Sequence, residues 1–298
     1  MDFPEDLTYN LKHIQMYSRR KFIQTLSVGA AATLAVNSLA AFGAEGKRKL
    51  KNIGYIEGII GKDLRGDWKA VLGETVKYGY TEIEVNKFRG ESAKTFLRDC
   101  KDIGIKPVAG AAKLSKNPDE VNVSLDALNA MELKYAVIYW PWLVGGPFKL
   151  EDCKIAADMM NQTGEACKKK GLILCWHNHE KEFIPMEEGL PFDYLMKNTD
   201  KDLVKCEMDV YWVQKGGVDP VEMLKKYKKR YGILHIKDMT ADDKKTFADV
   251  GSGIIDFPSI FAEAADQGIE HYFVEKDNAQ NGMETLRVSA EYMKKLTF

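Results

Sequence analysis

The sequence predicts one α/β domain in which eight parallel strands, each followed by a helix, close into a (β/α)8 TIM barrel. Three observations predict it. Strand-like and helix-like segments alternate from residue 52 to residue 298 with no polar linker to divide them. That stretch, about 250 residues long, is the usual size of such a barrel and can bury one large core without splitting. Acidic and imidazole side chains recur at the C-terminal ends of the later strand-like runs, where a parallel barrel gathers its active site.

The elements follow in order. Ser18-Arg-Arg-Lys-Phe-Ile-Gln24 introduces an apolar stretch over about 22–43, uncharged after Lys21 and closed by Ala40, Ala41, Gly43 and Ala44. A charged start, an apolar middle and a small-residue end are the marks of an export signal. Arg19-Arg20 ahead of Lys-Phe-Ile resembles a twin-arginine signal, a route that carries folded proteins. The run approaches the length that spans a bilayer, but Asn37, Ser38 and its Ala and Gly content dilute it, so cleavage is expected over anchoring. Residues 1–44 are therefore read as the signal of a periplasmic protein that meets the membrane only during export. The mature chain is expected to begin between residues 40 and 47, and the barrel to occupy 50–298.

Strand-like runs rich in Val, Ile, Leu, Phe and Tyr then fall at 52–57, 81–86, 107–112, 135–142, 172–179, 204–213, 232–237 and 271–275. Helical patterns lie between them at 67–78, 92–103, 119–131, 150–170, 220–231, 258–267 and 283–296. Asn117-Pro118, Asp219-Pro220 and Phe257-Pro258 read as helix starts, and Gly104, Gly171 and Gly268 as stops. No GxGxxG follows the first strand and no GxxxxGK[ST] occurs, so dinucleotide and P-loop readings have no support. With 43 basic and 44 acidic residues the formal net charge is −1, which supplies no field for nucleic acid. The five cysteines (100, 153, 167, 175 and 206) show no short paired spacing; Cys175 and Cys206 read as small buried hydrophobes.

Period two places Glu207 with Asp209, His235 with Lys237, and Glu275 with Asp277 on one face of their strands. The opposite parity carries Cys206, Met208, Leu234, Ile236, Tyr272 and Val274, which suits packing against helices. Three successive strands with the same polar parity point to a shared site facing the barrel axis. One imidazole among several carboxylates is a plausible shell for Mn²⁺, Mg²⁺ or Zn²⁺. Trp176-His-Asn-His-Glu-Lys-Glu-Phe183 is a second dense cluster, with His177 and His179 on the inward parity of Cys175. His271, at the start of the last strand, reads as structural.

Taken together, His177-Asn-His-Glu-x-Glu-Phe183, Glu207-Met-Asp-Val-Tyr-Trp-Val213 with Gly216-Gly-x-Asp-Pro220, His235-Ile-Lys-Asp238, Val250-Gly-Ser-Gly-Ile-Ile-Asp-Phe257 and Val274-Glu275 resemble the xylose-isomerase-like TIM-barrel superfamily, among it the sugar phosphate isomerase/epimerase proteins. The resemblance covers roughly 50–298. It implies a divalent metal held by Glu, Asp, His and Glu from strands five to eight, and it carries over to Asp209, His235 and Glu275. The fifth-strand Glu does not transfer, because Cys175-Trp176 stands there; Glu180 is the replacement candidate, with His179 and Glu207 as alternatives. Trp212 stands where the ketose epimerases carry a His. Both departures fit better the inosose-dehydratase-like and keto-sugar-lyase branches, whose fifth strand is His-rich.

The chemistry these groups share is removal of a proton next to a carbonyl, with the resulting enediolate stabilised by the metal. The expected function is thus a metal-dependent sugar or keto-sugar isomerase/epimerase. A lyase or dehydratase on the same site is the alternative, and a non-catalytic exported sugar-binding protein the rival from another class. His177, His179 and Glu275 are the candidate acids and bases, Lys237 the oxyanion partner, and Trp212, Trp140 and Glu207 the candidate substrate contacts. The low histidine count and neutral charge argue against the apurinic endonucleases of the superfamily. With no basic cluster, an unphosphorylated carbohydrate is the expected partner; a homo-oligomer is left open.

Overall fold

Short apolar runs with two-residue alternation become the staves of a barrel. The structure, a computed structural model, describes residues 48–298, so the proposed export segment lies outside the described residues. The strands are β1 (Gly54–Ile56), β2 (Glu82–Val85), β3 (Lys106–Ala111), β4 (Tyr135–Ile138), β5 (Ile173–His177), β6 (Val204–Asp209), β7 (Tyr231–Ile236), β8 (Asp238–Met239), β9 (Phe247–Ala248) and β10 (Tyr272–Val274). Eight of them pair in parallel and close in the order β1-β10-β7-β6-β5-β4-β3-β2; β8 and β9 form a separate antiparallel ribbon. The fold is the TIM barrel that the alternation predicts.

Outside the barrel run α1 (Trp68–Tyr78), α2 (Ala93–Ile103), α3 (Pro118–Ala130), α4 (Leu150–Lys169), α5 (Pro191–Asn198), α6 (Val210–Lys215), α7 (Pro220–Lys226), α8 (Phe257–Asp266) and α9 (Gly282–Lys295). Their starts are written in side chains. Asp67, Ser92, Asn117, Asp219, Asp256 and Asn281 each accept a hydrogen bond from a backbone N–H of the first turn. Such a cap is typically worth about 1 kcal/mol.

Parity sorts the strand residues as expected. Cys206, Met208, Leu234, Ile236, Tyr272 and Val274 lie in the large apolar core between barrel and helices. Val108, Ala109, Tyr135, Val137, Cys175, Ile233 and Phe273 fill the barrel interior. The Phe273 ring occupies space that only a glycine leaves free, since a Cβ at Gly54 would lie 2.3 Å from it. All five cysteines are free and buried. His271 sits at the base of the barrel, paired with Glu82 at 2.9 Å.

Several expected runs were too long, those of β4 (ending at Ile138) and β5 (ending at His177) among them. The strand expected through 213 ends at Asp209, because the Asp209 carboxylate accepts from Tyr211 N (2.9 Å) and Trp212 N (3.1 Å) and so caps α6. The helix expected through 231 ends at Lys226; Lys229 turns left-handed at φ 63° and Tyr231 opens β7.

Asp238, beside the β7 end, organises the following loop. Its carboxylate accepts from the backbone N–H of Met239, Gly251, Gly253 and Ile255, at 2.8, 2.9, 2.9 and 3.2 Å. Asp238→Ala should leave these donors unpaired and cost at least about 2 kcal/mol, at roughly 1–3 kcal/mol for each buried group left unmade. Urea unfolding checks it; a midpoint equal to that of the parent would show that the loop holds without the clamp.

Candidate active site

The C-terminal mouth of the barrel collects its polar groups from five strands. Their order along the wall is fixed by register: His177 lies opposite Glu207, and Asp209 opposite His235. Glu275 follows β10, its N–H bonded to Ile236 O at 3.0 Å. Among the described residues, His177, Asp209, His235 and Glu275 each offer a ligand atom, all within 4.8 Å of one another. His177 Nε2 stands 3.7 Å from Asp209 Oδ2, and His235 Nδ1 stands 2.8 Å from Glu275 Oε2.

The sequence reading missed a second group one layer deeper. Glu84 of β2, Glu207 and His235 also come within 4.8 Å. His235 Nε2 lies 3.1 Å from Glu84 Oε2 and 3.0 Å from Glu207 Oε1, while His177 Nδ1 lies 3.0 Å from that same Glu207 oxygen. The Tyr139 hydroxyl donates to the other oxygen of Glu84. A signal for Glu84 existed: in Thr81-Glu-Ile-Glu-Val, period two puts two glutamates on the inward face of a strand.

Three of the expected site residues lie as follows. Glu180 belongs to neither cluster of metal-capable side chains. After His177 the chain leaves the barrel, and Glu180 opens a 3₁₀ turn, Glu180–Phe183, so that β5 contributes His177 instead. Glu207, expected to contact substrate, is fully buried beneath the two imidazoles. His177, expected to move protons, has both ring nitrogens turned to carboxylates of β6.

His179, Trp140 and Trp212 are brought together at the rim. The His179 ring lies between the two indoles, with centroids 5.3 Å from Trp140 and 5.5 Å from Trp212. Its Nδ1 is buried without a hydrogen-bond partner among the described residues. Lys237 Nζ lies 5.1 Å from the Trp212 ring centre and pairs with Asp209 (2.9 Å), Glu275 (3.1 Å) and Asp277 (2.8 Å). Glu182, buried in the 3₁₀ turn after β5, accepts from Trp142 Nε1 at 2.7 Å and from His179 N at 3.0 Å. It thereby anchors the β4 loop to the β5 end.

Burial sets the charge states and the neighbours correct them. Desolvation pushes the Asp209 carboxyl up to about 7, against the pull of Lys237. It also pushes Glu207 well above its usual range, reinforced by Glu84. Desolvation works against the charge on Lys237 and on His235, yet the surrounding carboxylates outweigh it and both stay above their ordinary values. Burial lowers His177 well below its ordinary value and His179 to about 4, so His179 is neutral near pH 7.

Glu182 gives a pH test outside this cluster, since burial raises its carboxyl from 4.5 to about 7. A folded value above the unfolded one contributes stability that is full below pH 4.5 and lost as pH rises through 7. The stability difference between the parent and Glu182→Gln should therefore shift against the parent by up to about 3 kcal/mol across that window. Urea titrations at several pH values measure it; parallel pH profiles would contradict it.

The matched family fits this architecture. A family profile described as xylose isomerase-like TIM barrel covers residues 72–296. The chain belongs to this family. Inosose dehydratase of Clostridium perfringens is 30% identical over 167 residues, which is 49% of this chain and 56% of that protein. Inosose dehydratase of Geobacillus kaustophilus is 32% identical over 122 residues, 36% of this chain and 39% of its own length. The chain thus matches only about half the length of these curated relatives, 56% in the first case. A sugar phosphate isomerase/epimerase from Parabacteroides distasonis superposes with a TM-score of 0.68 at 27% identity, over 88% of this chain and 97% of that one. The IolI protein with a binding zinc atom superposes at 0.65 and 17% identity, over 83% of this chain and 99% of its own, a likeness of fold alone.

Proposed function

We propose that this family member is a divalent-metal-dependent isomerase or epimerase that removes a proton next to the carbonyl of a sugar or keto-sugar. The observation that carries the reading is the convergence of His177, Asp209, His235 and Glu275 at the mouth of the barrel. The donor set fits a divalent ion: two imidazoles and two carboxylates balance its charge, and the Asp209 carboxylate is fully buried, its Oδ2 facing the Lys237 ammonium at 2.9 Å and His177 Nε2 at 3.7 Å. Mn²⁺, Mg²⁺ or Zn²⁺ bound there would act as a Lewis acid on vicinal substrate oxygens.

The chain's own groups supply the rest. His179, neutral and with an unpaired Nδ1, takes the proton from carbon. Lys237 places a charged donor where oxyanion charge develops. Trp140 and Trp212 flank His179 and offer apolar faces to the C–H side of a sugar ring. His179→Gln should lower kcat by about 10²–10⁴-fold while metal affinity stays near the parent value. Loss of metal with loss of activity would instead make His179 a ligand.

Elimination is the second reading, favoured by the inosose dehydratase relatives and by the His177/His179 pair at and just after the β5 end. The experiment that tests the shared step is incubation of metal-loaded protein with keto-sugars in D₂O. Deuterium at the carbon beside the carbonyl supports proton transfer, and loss of water assigns the elimination. Full activity in verified metal-free protein would refute the mechanism, and sugar binding without any exchange would favour a non-catalytic binding protein. We also read the protein as exported, on the strength of Arg19-Arg20 and the apolar run behind them. Replacing both arginines by lysine should leave precursor in the cytoplasm; unchanged export would sink that reading.

A further inference from the structure

Glu207 is a carboxylate with an unusual position: it faces neither solvent nor the substrate mouth, yet two imidazoles of the candidate metal centre turn to it. His177 Nδ1 and His235 Nε2 each lie 3.0 Å from one atom, Glu207 Oε1. Glu207 is fully buried, and so are its neighbours His235 and Glu84. Its second oxygen, Oε2, has no hydrogen-bond partner among the described residues. A ring nitrogen that donates its proton to a carboxylate leaves the other nitrogen as the lone pair, so the hydrogen bond decides which atom can bind a metal.

We infer that Glu207 is a positioning residue: its Oε1 is the acceptor for His177 Nδ1 and, with Glu84 Oε2 as the acceptor for His235 Nε2, the two glutamates fix the imidazole ligands in opposite tautomers. His177 is held as the Nδ1–H form, which leaves Nε2 facing Asp209 Oδ2 at 3.7 Å. With an ion bound, His235 would be held as the Nε2–H form by Glu84 Oε2 at 3.1 Å, with Glu207 Oε1 beside it at 3.0 Å, which frees Nδ1, now bonded to Glu275 Oε2 at 2.8 Å, as the lone pair. The two free lone pairs then point into the same four-residue cluster. The opposite choice at either ring would turn an N–H on the ion. Glu84 and Glu207 thus share His235 Nε2, and Glu84 is itself held by the Tyr139 hydroxyl. The role requires only that Oε1 accept hydrogen bonds, so an amide in the same place retains most of it.

This inference rests on the metal reading above, and the test separates the two. Zn²⁺ and Co²⁺ affinities are measured by competition with a chromogenic chelator for the parent, Glu207→Met and Glu207→Gln. Glu207→Met removes the acceptor and should weaken binding by about 10–100-fold, the usual effect of losing an outer partner of a ligating His. Glu207→Gln should recover most of that loss, and the Co²⁺ absorption band of the parent should return with it. A parent protein that binds neither ion overturns both readings. A parent that binds, with Glu207→Met equal to it, overturns only this one. Equal loss in Met and Gln variants also overturns it, because it would make the carboxylate itself a ligand. Long-range ¹H–¹⁵N spectra of the Zn²⁺-loaded parent decide the matter even where Glu207→Met does not fold. One Nδ1–H and one Nε2–H imidazole at these positions is the expected pattern, and two alike would overturn it.

Discussion

Asp209→Asn and Asp209→Ala should abolish metal-dependent turnover to a similar degree while differing in stability. The reason is that the two carboxylate oxygens do separate jobs. Oδ1 caps α6 by accepting from Tyr211 and Trp212, and Oδ2 faces His177 and Lys237 in the candidate metal cluster. Asn keeps a cap oxygen, whereas Ala loses it and should cost about 1 kcal/mol more in stability. Both remove the charged ligand. If the ion lowers the barrier by several kcal/mol, its loss should cost on the order of 10³-fold in kcat/KM. Steady-state kinetics with metal titration, beside thermal melts, measure the two effects apart. An Asn variant that keeps the activity and ion affinity of the parent would remove Asp209 from the metal site.

Lys237→Met should have its largest effect on the metal-free protein. The ammonium is buried and lies within 3.1 Å of carboxylate oxygens of Asp209, Glu275 and Asp277. Removing one partner of a buried ion pair typically costs about 3–5 kcal/mol, because the remaining charges are left without compensation. For a domain of this size that is a fall of roughly 10 °C in Tm. A divalent ion should restore much of the loss, since it brings positive charge back to two of the same carboxylates. Melts with chelator and with Zn²⁺ or Mn²⁺ check this. A variant as stable as the parent in chelator would show that Lys237 is not the counter-charge of the empty site. Activity should fall in both conditions, because the donor to the developing oxyanion is gone.

The barrel was legible because period two and period 3.6 alternate cleanly along the chain, and because caps such as Asn117 and Asp219 precede a proline at the helix start. The inward and outward parity of β6 and β7 followed from the same pattern. Element ends were less legible where one side chain serves two purposes. Asp209 reads as a strand residue until its carboxylate is seen to begin a helix. At the site, parity brought Asp209, His235 and Glu275 to one face but did not say how far β5 runs. The chain turns outward after His177, and that single bend leaves His177 in the cluster and Glu180 in the turn beyond it. Glu84 escaped notice because it lies on an early strand, 151 residues from the His235 it touches. Contacts across a closed barrel have no local trace in sequence. Only closure brings β2 opposite β7.

The Asn178 side chain binds the backbone of Asp209 twice, accepting from its N–H at 3.1 Å and donating to its carbonyl at 3.3 Å. This amide stitch extends the β5–β6 seam past the last ladder pair, His177 with Glu207. Two of the four metal-capable groups, His177 and Asp209, therefore stand on one stiff corner of the mouth. Glu275 stands on the other side, at 13% side-chain exposure, with no such stitch. The β5–β6 side should therefore act as the stiffer jaw, and the Glu275 side, held through its side chain by His235 and Lys237, as the more compliant one. An ion of larger radius would be accommodated by displacement of Glu275, leaving the corner in register. Exchange of one divalent ion for another should then alter the reach of that carboxylate while the barrel wall behind His177 and Asp209 keeps its shape.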